Sequence, residues 1–235
     1  MSEARRVLLK LSGEALADKV SGGYNLQVVR DVARQVKEAS EKRVEIGIVI
    51  GGGNLWRGRT GTEIDRTKSD SIGMLATVMN CIYVSEVFRS EGLKTRIFTP
   101  FAVGTMTELF SKDAAVKAME EGCVTFFAGG TGHPYFSTDT GIVLRALELN
   151  VDEILLAKSI DGVYDKDPAK NPDAKRYDTV SIHEVVDKKL GVIDRTASVM
   201  CEENGVALAI FDLRKENSIR DALNGRSVGT RVTKS

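Results

Sequence analysis

The sequence predicts an α/β protein, a three-layer α/β/α sandwich with a mainly parallel, open sheet. Three observations support this fold class. Short apolar, β-branched runs alternate with segments of helical period along the whole chain. Two of these runs end in glycine-rich loops, which are typical of the ligand-binding edge of an open parallel sheet. No internal repeat or low-complexity linker divides the 235 residues, so we expect a single domain over residues 1–235.

Charge and composition exclude several classes of function. Lysine plus arginine and aspartate plus glutamate each number 33, so no overall field attracts nucleic acid or a membrane surface. No segment approaches the ~18 continuous apolar residues of a membrane span, and the N-terminal residues lack the pattern of a signal peptide. The three cysteines have no CxxC spacing, which indicates reduced thiols. We therefore expect a cytoplasmic protein with no nucleic-acid or membrane partner.

The first elements predict a βαβ unit. A strand over residues 6–11 carries Lys10 near its carboxyl end, where open α/β sheets bind ligands. An exposed strand end would accommodate a lysine equally well. After a loop at residues 22–23, a helix with an asparagine cap and a regular apolar period covers residues 25–42. The β-branched run at residues 46–50 then predicts a strand that is buried on both faces.

The rest of the chain continues the alternation of helix and strand. The remaining predicted helices cover residues 67–91, 111–121, 139–149, 194–204 and 218–223. The remaining predicted strands cover residues 95–98, 124–128, 153–157, 207–211 and 229–232. The helix at 67–91 is apolar on several sides, so we expect it to be buried against the sheet or against another subunit. Ser111 is expected to cap the helix that follows it.

The first glycine loop, residues 51–53, follows the buried strand directly. Three consecutive glycines remove every Cβ atom, which indicates close backbone approach or positive φ at this point. The exposed N–H groups of such a loop can bind an anion. Arg57 follows, and its guanidinium fork matches a phosphate group well. A tight turn beside a solvated Arg57 would explain the same pattern.

The second glycine loop, residues 129–141, has the sequence GGTGHPYFSTDTG and follows another predicted strand. Its glycine N–H groups, the hydroxyls of Ser137 and Thr138 and the start of a helix at Asp139 predict a second anion-binding site. A simple helix-capping cluster would also explain Thr138 and Asp139. The two histidines of the chain lie far apart in sequence, so a histidine metal pair is not expected.

A third polar segment, SIDGVYDKDP, follows the strand at 153–157. Its Asp161-Gly162 pair is a turn signal. Tyr164 offers an apolar face to a nucleotide base, and Asp167 could lie near a ribose. A solvated hairpin explains the same residues, and their spacing alone favours the hairpin.

Several known phosphate-binding and catalytic motifs are absent. Both glycine loops lack the third glycine of a dinucleotide fingerprint, and no glycine is followed by lysine as in G-x-x-x-x-G-K-[ST]. The protein-kinase motifs H-R-D and D-F-G and the hydrolase elbow G-x-S-x-G are also missing. A strand-end lysine with two anion sites on neighbouring strand ends suits transfer of a phosphoryl group between two bound phosphorylated molecules.

Six segments of the chain resemble, in this order, bacterial uridylate (UMP) kinases of the amino acid kinase family: KLSGEAL from Lys10, GGGNLWRG from Gly51, DSIGMLATVMN from Asp70, GGTGHPYFSTD from Gly129, DGVYDKDP from Asp161 and VIDRTA from Val192. The resemblance covers almost the whole chain. It implies transfer of the ATP γ-phosphoryl group to UMP, giving UDP and ADP in pyrimidine nucleotide biosynthesis, with Mg²⁺ accompanying ATP. It also implies that residues 1–150 hold UMP and residues 151–235 hold ATP.

The resemblance assigns roles to individual residues. It implies these catalytic residues: Lys10, Arg57 and Asp139. It implies ATP contacts at Lys10, Leu11, Ser12, Gly13, Gly53, Arg57, Lys158, Tyr164 and Asp167. It implies UMP contacts at Gly52, Asp70, Thr131, Gly132, His133, Pro134, Tyr135, Phe136, Ser137 and Thr138. No residue is assigned to a metal, and the roles of Asp161 and Asp194 stay open.

The chemistry of the implied acceptor agrees with these residues. The second pKa of a phosphate monoester is near ~6, so UMP is mostly dianionic at pH 7 and needs no general base. Repulsion between the acceptor and donor phosphates must then be offset by Lys10, Arg57, loop N–H groups and Mg²⁺. Two positions depart from the family pattern. His133 stands where many relatives have asparagine, and Lys158 can contact either a phosphate or the base.

Assembly and regulation follow from the resemblance alone. It implies a homohexamer built from dimers, with GTP as activator and UTP as inhibitor. Two other functions remain open. One is another amino acid kinase, such as an acetylglutamate or carbamate kinase, and the other is a non-catalytic nucleotide-binding protein on the same fold.

Overall fold

The computed structural model describes residues 4–18, 23–57, 63–191 and 193–234. Gly22, Gly58 and Val192, which the sequence predictions include, lie outside the described residues. The strands are β1 (Arg6–Leu11), β2 (Glu45–Ile50), β3 (Thr95–Thr99), β4 (Glu108–Leu109), β5 (Val124–Phe127), β6 (Glu153–Lys158), β7 (Thr179–Ser181), β8 (Leu208–Asp212) and β9 (Thr230–Thr233). The helices are α1 (Gly13–Leu16), α2 (Leu26–Ser40), α3 (Arg66–Ser90), α4 (Lys112–Glu120), α5 (Thr138–Leu149), α6 (Ile182–Asp187), α7 (Arg195–Asn204) and α8 (Ser218–Leu223).

The strands of the described residues join one sheet in the order β4-β3-β5-β2-β1-β6-β8-β9-β7. Neighbouring strands run parallel except for the antiparallel pair β8 and β9. β1 lies near the middle, with β2 and β6 hydrogen-bonded to its two sides. The chain builds outward from β1 in both directions, which creates a switch point at the carboxyl end of β1. The predicted sandwich with a mainly parallel sheet is confirmed.

Alternate residues of β1 face the two helical layers. Leu9 and Leu11 pack in one core with α2, α3 and α8, whereas Leu8 packs in the other core with α4, α5 and α7. These three leucine side chains are fully buried. Lys10 shares the face of Leu8, so its side chain lies on the side of the sheet that α5 covers. The register of β1 thus determines which helix the lysine meets.

Helix α3 has one buried side and one exposed apolar side. Its buried residues Val78, Val84 and Phe88 belong to the same core as Leu9. Its outer side carries exposed apolar residues at helical spacing, here called the α3 stripe: Ile72, Leu75, Met79 and Ile82. Among the described residues, α3 is also the helix that is long and apolar enough to cross a membrane. Half of its most apolar stretch is buried in the fold, however, and core helices of soluble proteins can have the same length and composition.

Most predicted boundaries agree with the structure within about two residues, and capping residues explain the shifts. Asp65 caps α3 with its side chain, so the helix begins one residue before the predicted start. The side chain of Ser137 accepts hydrogen bonds from two backbone N–H groups of α5, so this helix also begins one residue early. Ser111 occupies the N-cap position of α4, as predicted, without a capping hydrogen bond from its side chain.

Four elements escaped the sequence analysis: α1, β4, β7 and α6. Each of them spans between two and six residues. A segment of this length contains too few residues to show a period of either 2 or 3.6. The omission of α1 matters for function, because α1 follows Lys10 almost directly and brings an acidic residue to the first glycine loop.

Candidate functional site

The carboxyl ends of four neighbouring strands converge at one edge of the sheet. In the order β5, β2, β1, β6, these strands lead into the second glycine loop, the first glycine loop, Lys10 with α1, and Lys158. Parallel strands bring their carboxyl ends to the same edge, so residues from four distant parts of the chain become neighbours. This edge is the candidate functional site.

Lys10 and Asp139 form an ion pair at this edge, with 2.5 Å between Nζ and Oδ1. Both side chains are largely buried, at 19% and 17% exposure. Asp139 lies in the first turn of α5, where a carboxylate interacts favourably with the helix dipole. Burial alone would raise the pKa of Asp139, but the charges of Lys10 and Lys158 and hydrogen bonds to the carboxylate lower this pKa below its ordinary value. The carboxylate is therefore ionised at neutral pH.

Lys158 brings a second ammonium group to the same carboxylate. It is the last residue of β6, the strand that pairs with β1 on the side opposite β2. Burial lowers the pKa of Lys158 below the ordinary lysine value, and the charge of Lys10 lowers it further, while the charge of Asp139 acts in the opposite direction. We call these three residues the lysine cluster. Two ammonium groups around one carboxylate leave a net positive charge, which suits an anionic ligand.

Close packing explains the glycines of the first loop. A Cβ atom on Gly52 would lie 2.8 Å from the Gly73 carbonyl oxygen of α3. A Cβ atom on Gly13, at the start of α1, would lie 2.3 Å from the Gly51 carbonyl oxygen. None of residues 51–53 has a positive φ, so close approach rather than backbone conformation requires glycine at Gly52. Gly13 and Gly52 therefore pack too closely against their neighbours to carry side chains, whereas a Cβ atom on Gly51 would meet no atom nearer than 4.0 Å.

A buried asparagine on α3 fixes the first glycine loop. Asn80 Nδ2 donates to the Gly51 carbonyl at 2.7 Å and to Asn54 Oδ1 at 2.8 Å. Asn80 Oδ1 accepts the Tyr24 hydroxyl at 2.6 Å. Asn80 is fully buried, so these partners satisfy a group that would otherwise be costly to bury. The sequence analysis did not select Asn80, although an asparagine within the apolar run LATVMNCIYV is the signal that could have identified it.

Arg57, the predicted phosphate ligand, contacts an acidic residue of α1. Its guanidinium forms an ion pair with the carboxylate of Glu14. The two side chains are 62% and 48% exposed, so the pair lies at the surface of the site. Gly53 is close to the same carboxylate, because a Cβ atom at Gly53 would lie 2.9 Å from Glu14 Oε1. The carboxylate of Glu14, from α1, thus lies beside the first glycine loop.

Backbone conformation explains the glycines of the second loop. Gly129, Gly130 and Gly132 have φ angles of 79°, 57° and 82°, which residues with a side chain rarely adopt. The Gly129 N–H donates to Thr77 Oγ1 of α3 at 2.8 Å. Helix α3 therefore supports both glycine loops.

Asp194 connects the second glycine loop to α7. Its side chain caps α7 through the N–H of Ala197. It also accepts hydrogen bonds from the hydroxyls of Ser137 and Thr140 at the start of α5. The backbone of Asp194 also helps to lower the pKa of the Asp139 carboxyl group. Asp194, whose role the sequence left open, therefore lies beside the lysine cluster and holds the start of α5.

Three further predicted ATP contacts lie at the carboxyl end of β1 and directly after it. Leu11 is fully buried in the core, so only its backbone can reach a ligand. Ser12 occupies the N-cap position of α1, and Gly13 is the first residue of that helix. Gly13 lies against the Gly51 carbonyl of the first glycine loop, and the ATP contacts of all three residues stay predictions.

A cleft of about 460 Å³, here called the glycine-loop cleft, lies between the two glycine loops and α3. These predicted site residues line it: Gly52, Gly53, Arg57, Asp70, Thr131, Phe136, Ser137 and Thr138. These lining residues were not predicted: Trp56, Arg66, Gly73, Met74, Thr77 and Gly130. Four further predicted contacts belong to the second glycine loop but lie outside the cleft wall: Gly132, His133, Pro134 and Tyr135. The cleft thus unites residues from both loops.

A second cleft of about 430 Å³, here called the hairpin cleft, opens on the other side of the lysine cluster. Lys158, Tyr164 and Asp167 line it, as do the unpredicted Lys188 and Lys189. An antiparallel bridge at Tyr164 shows that this segment does form a hairpin. The Tyr164 hydroxyl donates to the nearby turn aspartate at 2.7 Å. The hairpin therefore forms part of the cleft wall, and the base and ribose contacts of Tyr164 and Asp167 stay predictions.

Comparison with known proteins identifies the family. The family model described as "Amino acid kinase family" matches residues 5–212. The chain belongs to the amino acid kinase family.

Three solved structures are similar to this amino acid kinase. The UMP kinase from Bacillus anthracis has 33% sequence identity and a TM-score of 0.94, with 98% of this chain and 96% of that chain covered. The UMP kinase from Ureaplasma parvum has 34% identity and a TM-score of 0.93, with 99% and 100% covered. The uridylate kinase from Archaeoglobus fulgidus, at 24% identity and a TM-score of 0.73 over 97% and 99%, shares the fold.

Histidine, cysteine and acidic residues are the side chains of this amino acid kinase that could form a metal site. In the chain segments that the structure describes, no group of three or more histidine, cysteine, aspartate or glutamate residues could hold a metal ion. His183 instead lies 2.7 Å from the Glu202 carboxylate on the surface.

Proposed function

We propose that this amino acid kinase is a UMP kinase, which transfers the γ-phosphoryl group of ATP to UMP and yields ADP and UDP. The observation that carries the proposal is the position of the lysine cluster between the two clefts. Thr138 lines the glycine-loop cleft and directly precedes Asp139, while Lys158 lines the hairpin cleft. Similarity to two UMP kinases over nearly the whole chain supports the choice of acceptor. We place the reaction in pyrimidine nucleotide biosynthesis in the cytoplasm.

The glycine-loop cleft is our proposed UMP site, within residues 1–150. Its volume of about 460 Å³ suits a small ligand. The start of α5 offers the hydroxyl of Thr138 and the positive end of the helix dipole to a phosphate, and we assign Arg57 to the same phosphate. Asp70 is the acidic residue of the cleft wall, and we assign it to the ribose hydroxyls. The rest of the second glycine loop, from Thr131 to Thr138, then encloses the phosphate and the uracil.

The hairpin cleft is our proposed ATP site, within residues 151–235. Tyr164 supplies a ring beside the base, and Asp167 supplies a carboxylate for the ribose. Lys158 belongs to both the hairpin cleft and the lysine cluster, so we assign it to the phosphates rather than to the base. The exit of β1, with Ser12 and Gly13, completes the phosphate end of this site.

The proposed reaction needs charge stabilisation more than acid–base chemistry. A phosphate oxygen of UMP attacks the γ-phosphorus of ATP, and the bond from that phosphorus to the β–γ bridging oxygen breaks, with ADP as the leaving group. UMP is already mostly dianionic at pH 7, because the second pKa of a phosphate is near ~6. The transferred group is then surrounded by Lys10, Lys158 and Arg57, which offset the repulsion between the two substrates.

We propose that Mg²⁺ reaches the site together with ATP. Mg²⁺ commonly keeps several waters and binds substrate phosphates with at most one or two carboxylates. The residues fit this arrangement, because the carboxylate of Asp139 is already paired with Lys10 and the phosphates would supply most of the ligands. When bound, the ion neutralises phosphate charge in addition to the lysines.

We propose a homohexamer built from dimers, with the α3 stripe as one contact between subunits. The stripe presents four exposed apolar side chains along one face of a long helix, an arrangement that marks an interaction surface. We expect Met79→Glu to yield smaller species in size-exclusion chromatography with light scattering. The exposed control Lys117→Glu on α4 should leave the mass unchanged. Equal masses for both variants would contradict the role of the stripe.

Regulation by nucleotides is the remaining part of the proposal. We propose that GTP activates the enzyme and UTP inhibits it. Initial rates at a subsaturating UMP concentration, with each nucleotide added in turn, test this directly. Rates that do not change with either nucleotide would refute the proposed regulation while leaving the proposed reaction intact.

The decisive experiment measures ADP release by the purified protein with ATP and Mg²⁺. The acceptor panel contains UMP, CMP, AMP, GMP, acetylglutamate and carbamate. Lys10→Ala serves as the test variant, and Lys42→Ala, at an exposed lysine, serves as the matched control. We expect turnover with UMP that falls by ~10²–10³ in Lys10→Ala and is unchanged in Lys42→Ala.

Other outcomes identify the alternative functions. Turnover only with acetylglutamate or carbamate would make the chain a different amino acid kinase. ATP binding without turnover of any acceptor would indicate a non-catalytic nucleotide-binding protein. Turnover that survives in Lys10→Ala would mean that the lysine cluster is not the catalytic centre.

A further inference from the structure

Arg66, the first residue of α3, lines the glycine-loop cleft and contacts Asp70 in the cleft wall and Tyr135 just outside it. Its Nε donates to Asp70 Oδ2 at 2.8 Å. Its guanidinium carbon lies 5.2 Å from the centroid of the Tyr135 ring, within the range of a cation–π interaction. One cation therefore joins α3 to the second glycine loop.

These contacts hold the Asp70 carboxylate from two sides. Oδ2 accepts a hydrogen bond from Arg66 Nε and another from the Tyr135 N–H, each at 2.8 Å. The Asp70 side chain is only 13% exposed, so it has little freedom to change rotamer. Within the described residues, both of these hydrogen bonds end on Oδ2, and Oδ1 is the oxygen that can accept a ligand hydroxyl.

Tyr135 shows why the second contact of Arg66 matters. Its φ of 71° lies in the left-handed region, which residues with a side chain seldom adopt. Such a conformation persists where surrounding contacts hold it. Here the contacts are the hydrogen bond from its N–H to Asp70 and the Arg66 guanidinium over its ring. The ring itself is largely exposed, so core packing does not fix this part of the loop.

We propose that Arg66 is a positioning residue, which orients the Asp70 carboxylate toward the ribose hydroxyls of the acceptor nucleotide and holds the second glycine loop at Tyr135. This inference rests on the proposed function, because it takes UMP as the ligand of the glycine-loop cleft. Arg66 acts through its two neighbours, since its Nε and one face of its guanidinium are already engaged. A carboxylate oriented in advance does not have to be ordered by the ligand.

The first test compares Arg66→Gln and Arg66→Lys with Lys68→Gln, which removes an exposed lysine from the same turn of α3. We expect Arg66→Gln to raise KM for UMP about ten-fold, the scale of a lost charge-assisted hydrogen bond. We expect kcat and KM for ATP to change by less than about two-fold, because neither depends on Asp70 orientation. Arg66→Lys should restore KM in part, since it keeps the charge but not the fork.

A double-mutant cycle then distinguishes positioning from direct ligand contact. If Arg66 acts through Asp70, adding Arg66→Gln to Asp70→Asn changes KM for UMP by less than about two-fold. An equal ten-fold effect in both backgrounds would overturn the proposal, because Arg66 would then not act by orienting Asp70. A KM for Arg66→Gln equal to that of Lys68→Gln would overturn it as well. Thermal unfolding of each variant confirms that the compared proteins are folded.

The activity of the wild-type protein toward UMP distinguishes a failure of this inference from a failure of the proposed function. A wild-type protein that phosphorylates UMP, with Arg66 variants that behave like Lys68→Gln, refutes only the role of Arg66. A wild-type protein that does not phosphorylate UMP refutes the proposed function and, with it, the role of Arg66.

Discussion

The ammonium group of Lys10 and the carboxylate of Asp139 meet at 2.5 Å although they come from different layers of the fold. Lys10 lies on the central strand, and Asp139 lies in the first turn of a helix that covers one face of the sheet. Lys158, from the strand on the other side of β1, shares the same carboxylate. The pair is therefore electrically satisfied without a ligand, and the second lysine supplies the surplus positive charge.

Removal of the shared carboxylate should harm both folding and activity. Asp139→Asn leaves two partly buried ammonium groups without an anion, so we expect a loss of about 3 kcal/mol in the free energy of unfolding. We also expect kcat to fall by ~10²-fold, since the lysines lose their orientation. Urea unfolding and steady-state kinetics measure the two effects. Asp113→Asn, an exposed aspartate in the first turn of α4, is the matched control and should change neither.

The pH dependence of this stability difference follows from the pKa of Asp139, which lies below its ordinary value. A lowered folded-state pKa stabilises the fold at pH above the unfolded value of ~3.9. That contribution is lost as the pH falls through the folded-state pKa. The difference in unfolding free energy between the wild type and Asp139→Asn should therefore shrink below about pH 4. A difference that stays constant down to acid pH would contradict the assignment of the ion pair.

Lys158 should limit activity at alkaline pH. Burial lowers its pKa below the ordinary lysine value, so its ammonium group loses the proton at lower pH than an exposed lysine, which titrates near ~10.4. If the charge of Lys158 contacts phosphate, kcat/KM for ATP falls on that alkaline limb. Lys158→Arg, which stays charged, should have lower activity but a flat profile over the same range. A wild-type profile that is flat to about pH 10 would exclude this role.

Two glycines that face each other should respond in opposite ways to alanine. Gly52→Ala places a Cβ atom 2.8 Å from the Gly73 carbonyl and 3.0 Å from the Ala76 Cβ, so we expect a loss of about 1–3 kcal/mol in stability. Gly73→Ala, inside α3, meets only a Trp56 ring carbon at 3.9 Å. Its higher helix propensity should add about 0.5–1 kcal/mol. Chemical denaturation of both variants measures the contrast, and losses of equal size would show that the first glycine loop is not packed tightly.

The side-chain amide of Asn80 should contribute more to the free energy of unfolding than any one of its hydrogen bonds does. Asn80→Leu leaves the Gly51 carbonyl and the Tyr24 hydroxyl without their partner, and we expect a loss of about 2–3 kcal/mol. Tyr24→Phe removes one hydrogen bond and keeps the stacking on Tyr83 at 3.9 Å, so about 1 kcal/mol is expected. Thermal or urea unfolding ranks the two variants. The opposite ranking would show that the tyrosine, rather than the amide, holds the loop.

Local patterns were sufficient for most of the fold and for the edge of the sheet at which the candidate site lies. The β-branched runs, their alternation with amphipathic helices and the glycine loops at strand ends predicted the sheet and its ligand-binding edge. Lys10 was predictable because one residue at the end of a recognisable strand has a defined position at that edge. The individual roles of the predicted UMP and ATP contacts stay predictions, which the kinetic experiments above address.

Pairings between distant segments could not be predicted in the same way. The contacts of Arg57 with Glu14, and of Arg66 with Tyr135, join residues 43 and 69 positions apart in the chain. No local period encodes such a meeting, since it depends on how α1, α3 and the second glycine loop pack together. Short elements such as β7 and α6 were missed for the related reason that their stability comes from the neighbouring elements against which they pair or pack.

The carboxylate of Glu14 occupies the place beside Arg57 that an incoming anion would take. Because both side chains are largely exposed, their pair contributes at most about 1 kcal/mol and yields easily to a competitor. A ligand that offers another single carboxylate merely exchanges one monoanion for an equal one. A phosphate dianion brings an additional charge and two further acceptor oxygens. Under the proposed function, this competition between Glu14 and the ligand would favour a phosphorylated acceptor over one that offers only a carboxylate.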